Sequence, residues 1–152
     1  MSAFPSPPDD PDSDSMAGFA AFALATVNEA FNAVPEAQAR GFFRSVGKRL
    51  AGMEQLDGVN DVSGLSVRVN ALWQRLGWGE ADFAVGREAI IVRHRDAPLV
   101  ADDPEDDPNW RIALGAVLEG AYDAWFRMLG SGPVLKTESH WTASTLELRH
   151  GR

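Results

Sequence analysis

The chain has 152 residues, 45% of them hydrophobic, which is enough for one domain with a buried core and too little for two of ordinary size. A formal net charge of −8 argues against a phosphate backbone or an anionic membrane surface as partner, so nucleic acid is excluded as a ligand class. Cysteine is absent, which removes disulfides, thiol nucleophiles and zinc-thiolate sites.

The first fifteen residues are rich in Pro, Ser and Asp and hold no Lys or Arg. Such a segment buries too little apolar surface to offset its ordering entropy, so 1–15 is expected to be a disordered tail and 16–152 the folded domain. A secretory leader needs a positive start, and here acidic residues precede the apolar stretch Met16 to Val27. Phe19, Phe22, Ala23, Thr26, Ala30 and Phe31 recur at helical spacing, so this stretch is expected to be an amphipathic first helix over about Met16 to Val34. No run approaches the ~20 apolar residues that span a bilayer, so no direct membrane insertion is expected and the protein is placed in the cytoplasm.

Pro35 suits the first turn of a second helix whose buried stripe is Ala39, Phe43, Val46 and Leu50. Arg40, Arg44 and Lys48 repeat along that helix as a basic stripe, which reads either as a solvated face supported by Glu36 or as a docking face. A loop through Gly58 leads to a third helix capped by Asp61 or Ser63, with Leu65, Val69, Leu72 and Leu76 as its core stripe. Gly77 ends it, because a glycine there adopts the left-handed cap without Cβ strain, and Trp78 can then fold back onto the helix. Gly79 frees the backbone to begin a strand.

The period then changes. Phe83 and Val85 alternate, Ala89 to Val92 is apolar and β-branched, and Gly86, Arg87 and Glu88 stand between them, which predicts a hairpin. Pro98 to Pro108 is acidic and proline-interrupted, a surface loop. A long fourth helix follows with Leu114, Leu118, Tyr122, Trp125 and Leu129 on one face and Glu119, Asp123 and Arg127 on the other. Gly120 inside it costs roughly 1 kcal/mol relative to alanine and implies close approach by another backbone. Gly130, Gly132 and Pro133 stop the helix, and Val134 to Ser139 with Thr145 to His150 form a second hairpin around Thr142 and Ala143. The fold class is therefore α+β: three helices, a hairpin, a long helix and a second hairpin, with a four-stranded antiparallel sheet covered by helices on one face.

Asn70, Ala71 and Leu72 ahead of Gly77-Trp78-Gly79, followed by Leu118-Glu119-Gly120, Tyr122 and Trp125, resemble the signature of the D-subunit family of bacterial cellulose synthases, the cellulose synthase operon D proteins. The likeness is firm over Val69 to Phe126 and extends to the element order elsewhere. It implies a non-catalytic scaffold of cellulose synthesis that organises synthase complexes and aids glucan export and crystallisation, with no cofactor or metal. It also implies a homo-oligomer, an octamer, with other cellulose-operon proteins as partners, in some bacteria a proline-rich one, and with glucan chains passing nearby. For such proteins both a periplasmic place and a cytoplasmic one near the inner membrane are open, and the lack of a positively charged leader start here favours the second. The acidic tail departs from that pattern.

Read for chemistry, the chain offers little. His94, His140 and His150 stand at no ligand spacing, and His94 reads as a histidine at a sheet edge. The acidic stretch Asp102 to Asp107 lacks the central glycine of an EF-hand and carries Pro104. There is no glycine-rich phosphate loop and no nucleophile elbow. Trp73, Trp78 and Trp125 read as core packing, whereas Trp110 and Trp141 are freer to meet a sugar ring. The competing reading is an acidic, secretion-chaperone-like dimer that holds an unfolded client, and it leaves the Gly77-Trp78-Gly79 and Glu119-Gly120 pattern unexplained.

Overall fold

The computed structural model describes residues 11–100 and 105–152, with side chains from Met16 onward. Its elements are α1 (Pro11–Ala33), α2 (Glu36–Ala51), α3 (Val62–Leu76), β1 (Glu80–Val85), β2 (Ala89–Arg95), α4 (Pro108–Met128), β3 (Lys136–Thr142) and β4 (Thr145–Gly151). The order matches the expectation. The first helix begins at Pro11, so residues 11–15, expected in the tail, continue the helix, and proline at its first position gives up only an N–H that would have no helical partner. Residues 1–10 of the expected tail, and 101–104 of the expected acidic loop, lie outside the described residues.

The strands form one antiparallel sheet in the order β1-β2-β4-β3. Alternation sorts its faces: Ala81, Val92, His94, Leu146, Leu148 and His150 point into the core, while Asp82, Arg93, Arg95 and Arg149 face outward. Because β4 returns beside β2, His94 pairs with Ala81 on one side and Leu146 on the other and is fully buried, not at a sheet edge. The second hairpin turns at Ala143 and Ser144 rather than at Thr142 and Ala143. Thr142 pairs with Thr145, and Ala143 takes the positive φ of 53° that a two-residue loop requires.

α4 runs between the sheet and the α1–α2 pair and is buried nearly all round. The expected polar face of Glu119, Asp123 and Arg127 is therefore corrected: Glu119 is only 2% exposed, covered by α2 and β3. A helix wrapped on every side shows this pattern, and its small residues Ala113, Gly115, Ala116, Gly120 and Ala121 are where neighbours approach.

The closest approach is between α2 and α4. A Cβ at Gly47 would overlap the Val117 carbonyl oxygen, and one at Gly120 would overlap the Arg44 carbonyl oxygen. Two glycines, one from each helix, let the backbones cross where side chains would hold them apart. The core continues on the other side of α4 through Leu65, Val69, Leu72, Trp73, Trp125 and Phe126, and around α1 through Val27, Phe43 and Val117.

Gly120→Ala or Gly47→Ala is expected to lower stability by about 1–3 kcal/mol, the usual penalty of overpacking, and Gly120→Leu by more, because the atoms in the way belong to the backbone and cannot rotate aside. Urea denaturation of the three variants against the parent checks this; unchanged midpoints would show that the glycine crossing is not what sets the helix spacing.

Candidate functional site

The sequence-selected residues converge on two adjoining clusters around α4. The first is built where α3 ends. Gly77 holds φ 68°, its N–H donates to the Gln74 carbonyl at 3.3 Å, and the Trp78 N–H donates to the Trp73 carbonyl at 2.8 Å. These two bonds close the helix as a Schellman motif, and the hydrophobic contact that usually accompanies one is here a stack of Trp78 on Trp73, with centroids 5.6 Å apart and planes 6° from parallel. Gly79 then takes φ 87° with its α-carbon so close to β2 that a Cβ would overlap the Arg95 carbonyl oxygen. Asn70, earlier on α3, closes the corner from the other side: its amide donates to the Ala81 carbonyl at 2.9 Å and its carbonyl accepts the Ala81 N–H at 2.8 Å. Asn70 thus pairs with β1 as a neighbouring strand would.

Below this corner lies a buried relay. Trp73 Nε1 donates to the Tyr122 hydroxyl at 3.0 Å, the Tyr122 hydroxyl donates to His94 Nδ1 at 2.6 Å, and His94 Nε2 donates to the Trp78 carbonyl at 2.6 Å. Only the neutral Nε2–H tautomer satisfies every partner. Burial lowers the His94 pKa to about 4, opposed by the hydrogen bond to Trp78 and by Asp96, and burial pushes the Tyr122 phenol upward, so both are neutral across the physiological range. Trp125 adds a bond from Nε1 to the Ala51 carbonyl at 3.1 Å and an edge contact with Trp73, tying α2 to the same cluster. Leu72 and Leu118 are fully buried in the surrounding core.

The second cluster centres on Glu119. Arg44 Nε donates to its Oε2 at 2.7 Å, Ser139 Oγ donates to its Oε1 at 2.6 Å, and Arg40 Nη2 stands 3.8 Å from Oε1. One carboxylate on α4 therefore holds α2 and β3 together directly beside Gly120. Of the basic stripe, Arg40 and Arg44 turn toward Glu119, whereas Lys48 lines the groove further along the helix. The two tryptophans read as freer are also anchored: Trp110 Nε1 donates to the Pro98 carbonyl at 2.7 Å, and Trp141 Nε1 to the Arg111 carbonyl at 3.0 Å, with the Arg111 guanidinium 5.2 Å from the Trp141 ring centre.

Chemically, both clusters are closed. The polar atoms of His94, Tyr122 and Glu119 are engaged with the protein's own groups, and among the described residues no three metal-binding side chains come together. His94 and Glu119 were the residues whose parts the sequence did not reveal. For Glu119 a signal existed, since it and Arg44 flank the one glycine of α4 that meets α2.

The family model for the D subunit of cellulose synthase matches residues 11–151. The chain belongs to this cellulose synthase D-subunit family. It is similar to cellulose synthase operon protein D of Komagataeibacter xylinus and to the protein of the same name from Komagataeibacter sucrofermentans, 33% identical to each over 84 residues. Those 84 residues are 54% of this chain and 52% of each relative, so the match spans about half the length of these relatives. Membership ties the chain to cellulose biosynthesis, and among the described residues no helix is long and apolar enough to cross a membrane.

Two outcomes follow from the clusters. Below pH 6.5 the unfolded chain takes up a proton at His94 that the folded protein refuses until about pH 4. His94 therefore contributes full stability above pH 6.5 and loses it progressively as the pH falls toward 4, by about 3 kcal/mol in total. Urea denaturation at pH 7.5 and pH 4 should show that loss in the parent and a smaller one in His94→Gln; equal losses would remove His94 as the cause. Arg44→Met is expected to cost about 1–3 kcal/mol by leaving a buried carboxylate oxygen unsatisfied, and Arg40→Met less, because Arg40 stands farther from Glu119. Paired melting curves decide the ranking.

Proposed function

We propose that this protein is a non-catalytic scaffold for bacterial cellulose synthesis, one that self-associates, organises synthase complexes and aids export and crystallisation of the glucan chains. The observation that carries the reading is an apolar face left uncovered in the single chain. Met16, Phe19 and Phe22 on α1 are 71%, 75% and 73% exposed, and Phe42 on α2 is 56% exposed. Phe22 and Phe42 also border an apolar groove of about 310 Å³ with Val27, Phe43, Trp78 and Trp110 along its wall. Concentrated aromatic exposure of this kind marks an association surface, and a closed assembly of copies would cover it.

Family membership supports the link to cellulose, and the internally satisfied His94, Tyr122 and Glu119 support a structural rather than a chemical part. Within the proposal, other cellulose-operon proteins are the partners, a proline-rich one among them. The place of work is the cytoplasm beside the inner-membrane synthase, and glucan is the material organised.

Light scattering across a concentration series is expected to give a closed octamer for the parent. Phe19→Ser with Phe22→Ser is expected to lower the mass while leaving the melting temperature of the single-chain fold within a few degrees, because both side chains are exposed. In cells lacking the native protein, the same double variant should restore less cellulose than the parent does. A stable dimer in the parent that captures unfolded client would instead favour the chaperone-like module.

A further inference from the structure

The two edges of the sheet are finished differently. At β1 the N–H and carbonyl of Ala81 turn away from β2, and Asn70 takes both, at 2.8 and 2.9 Å, so α3 shuts that edge. Carried across the antiparallel ladders from Ala81 through His94 and Leu146 to Trp141, the same alternation leaves the main-chain groups of Thr137, Ser139 and Trp141 turned away from β4. Among the described residues no hydrogen bond reaches any of those groups. β3 has no proline, and it pairs with β4 residue for residue without a bulge, so neither backbone device that spoils an edge is present.

α2 leaves this edge uncovered. Between α2 and β3 the flank of α4 is open in two cavities, one of about 470 Å³ beside Lys136, Thr137 and Glu138 and one of about 200 Å³ beside Ser139 and Trp141. The strand is nonetheless fixed from inside. Thr137 Oγ1 donates to Asp123 at 3.1 Å, Ser139 Oγ to Glu119 at 2.6 Å, and Trp141 Nε1 to the Arg111 carbonyl at 3.0 Å. The three side chains that face α4 are thus each tied to it, and the three residues hold their outward donors and acceptors in a row. Such a row is a template for another strand.

The strand that matches it is its own copy. About a two-fold axis at Ser139, Ser139 faces Ser139 of the second copy and Thr137 faces Trp141, so all the outward main-chain groups bond at once. On the solvent face this register sets Glu138 opposite His140 twice, a carboxylate against an imidazole N–H, and Lys136 opposite Thr142. The next registers set Glu138 against Glu138 or His140 against His140, and they leave Trp141 or Thr137 unbonded. Like groups placed opposite each other weaken a strand pair, so charge and hydrogen bonding select the same register.

We propose that β3 pairs antiparallel with β3 of a second copy about a two-fold axis at Ser139, joining the two sheets into one. The pairing rests on the self-association proposed above but uses a surface apart from the aromatic face of α1 and α2. Two separate self-complementary faces let one chain build an assembly larger than a pair.

The parent has no cysteine, so introduced thiols report alone. Glu138→Cys and His140→Cys chains, both changed at exposed positions, are co-expressed, purified and mildly oxidised. In the proposed register residue 138 of one copy and residue 140 of the other stand about 4.5 Å apart between α-carbons, within disulfide reach. Two copies of the same residue stand about 8 Å apart, outside it. The mixed sample is therefore expected to give covalent dimer in roughly tenfold or greater excess over either variant alone. By light scattering, His140→Glu is expected to weaken association severalfold, and Glu138→Lys added to it to restore association, because the opposed signs are then exchanged. No excess of covalent dimer from an oligomeric parent, or a charge exchange that restores nothing, would overturn edge pairing alone. A parent that is monomeric at every concentration would overturn it together with the self-association on which it rests.

Discussion

The rest of the structure depends on the crossing of α2 over α4 at Gly47 and Gly120. Each glycine admits a carbonyl of the opposite helix into space that a Cβ would occupy, Val117 at one and Arg44 at the other. Everything nearby is set by that distance. Arg44 reaches Glu119 only because its own backbone lies against Gly120, and Trp125 reaches the Ala51 carbonyl only because the end of α2 is drawn onto α4. α1 packs on the same pair of helices through Val27, which lies in one apolar cluster with Phe43 and Val117.

Around this crossing the polar interactions are few and directional. Glu119 joins three elements through one carboxylate, and burial of such a group is tolerable only when its oxygens are met by donors, as they are by Arg44 and Ser139. The Trp73, Tyr122, His94 and Trp78 relay joins α3, α4 and β2 in the same way, by a chain of neutral groups in which every donor meets an acceptor. In the proposed self-associating scaffold, two such clusters would hold the helices so that the outer aromatic surface meets identical copies in one geometry.

The elements and their order were legible because they follow from local chemistry. Gly77 ends α3 in the left-handed conformation, Asp61 caps its start by accepting the Gly64 N–H, Trp78 folds back on the helix, and the period of two announces the first hairpin. Gly120 was readable as a place of close approach, since an unexplained glycine in a helix interior is itself a cost. The reach of the first helix back to Pro11 was not readable, because a stretch of Pro, Ser and Asp has neither helical propensity nor an apolar stripe; nor was the placement of the second turn at Ala143, which rests on pairing with β4.

What the sequence by itself determined was therefore the set of pieces: the α+β class, the capped ends, the core stripes and the glycine that invites a neighbour, all consequences of interactions within a few residues along the chain. The tertiary structure alone decided what those pieces meet. Glu119 became a buried clamp instead of a solvated residue, and His94 a neutral link in a central strand instead of an edge histidine. In each case the deciding partner lies far off in sequence. Periodicity tells which side of a helix or strand is buried, but a polar residue's role is set by the donor or acceptor that packing brings to it from elsewhere in the chain.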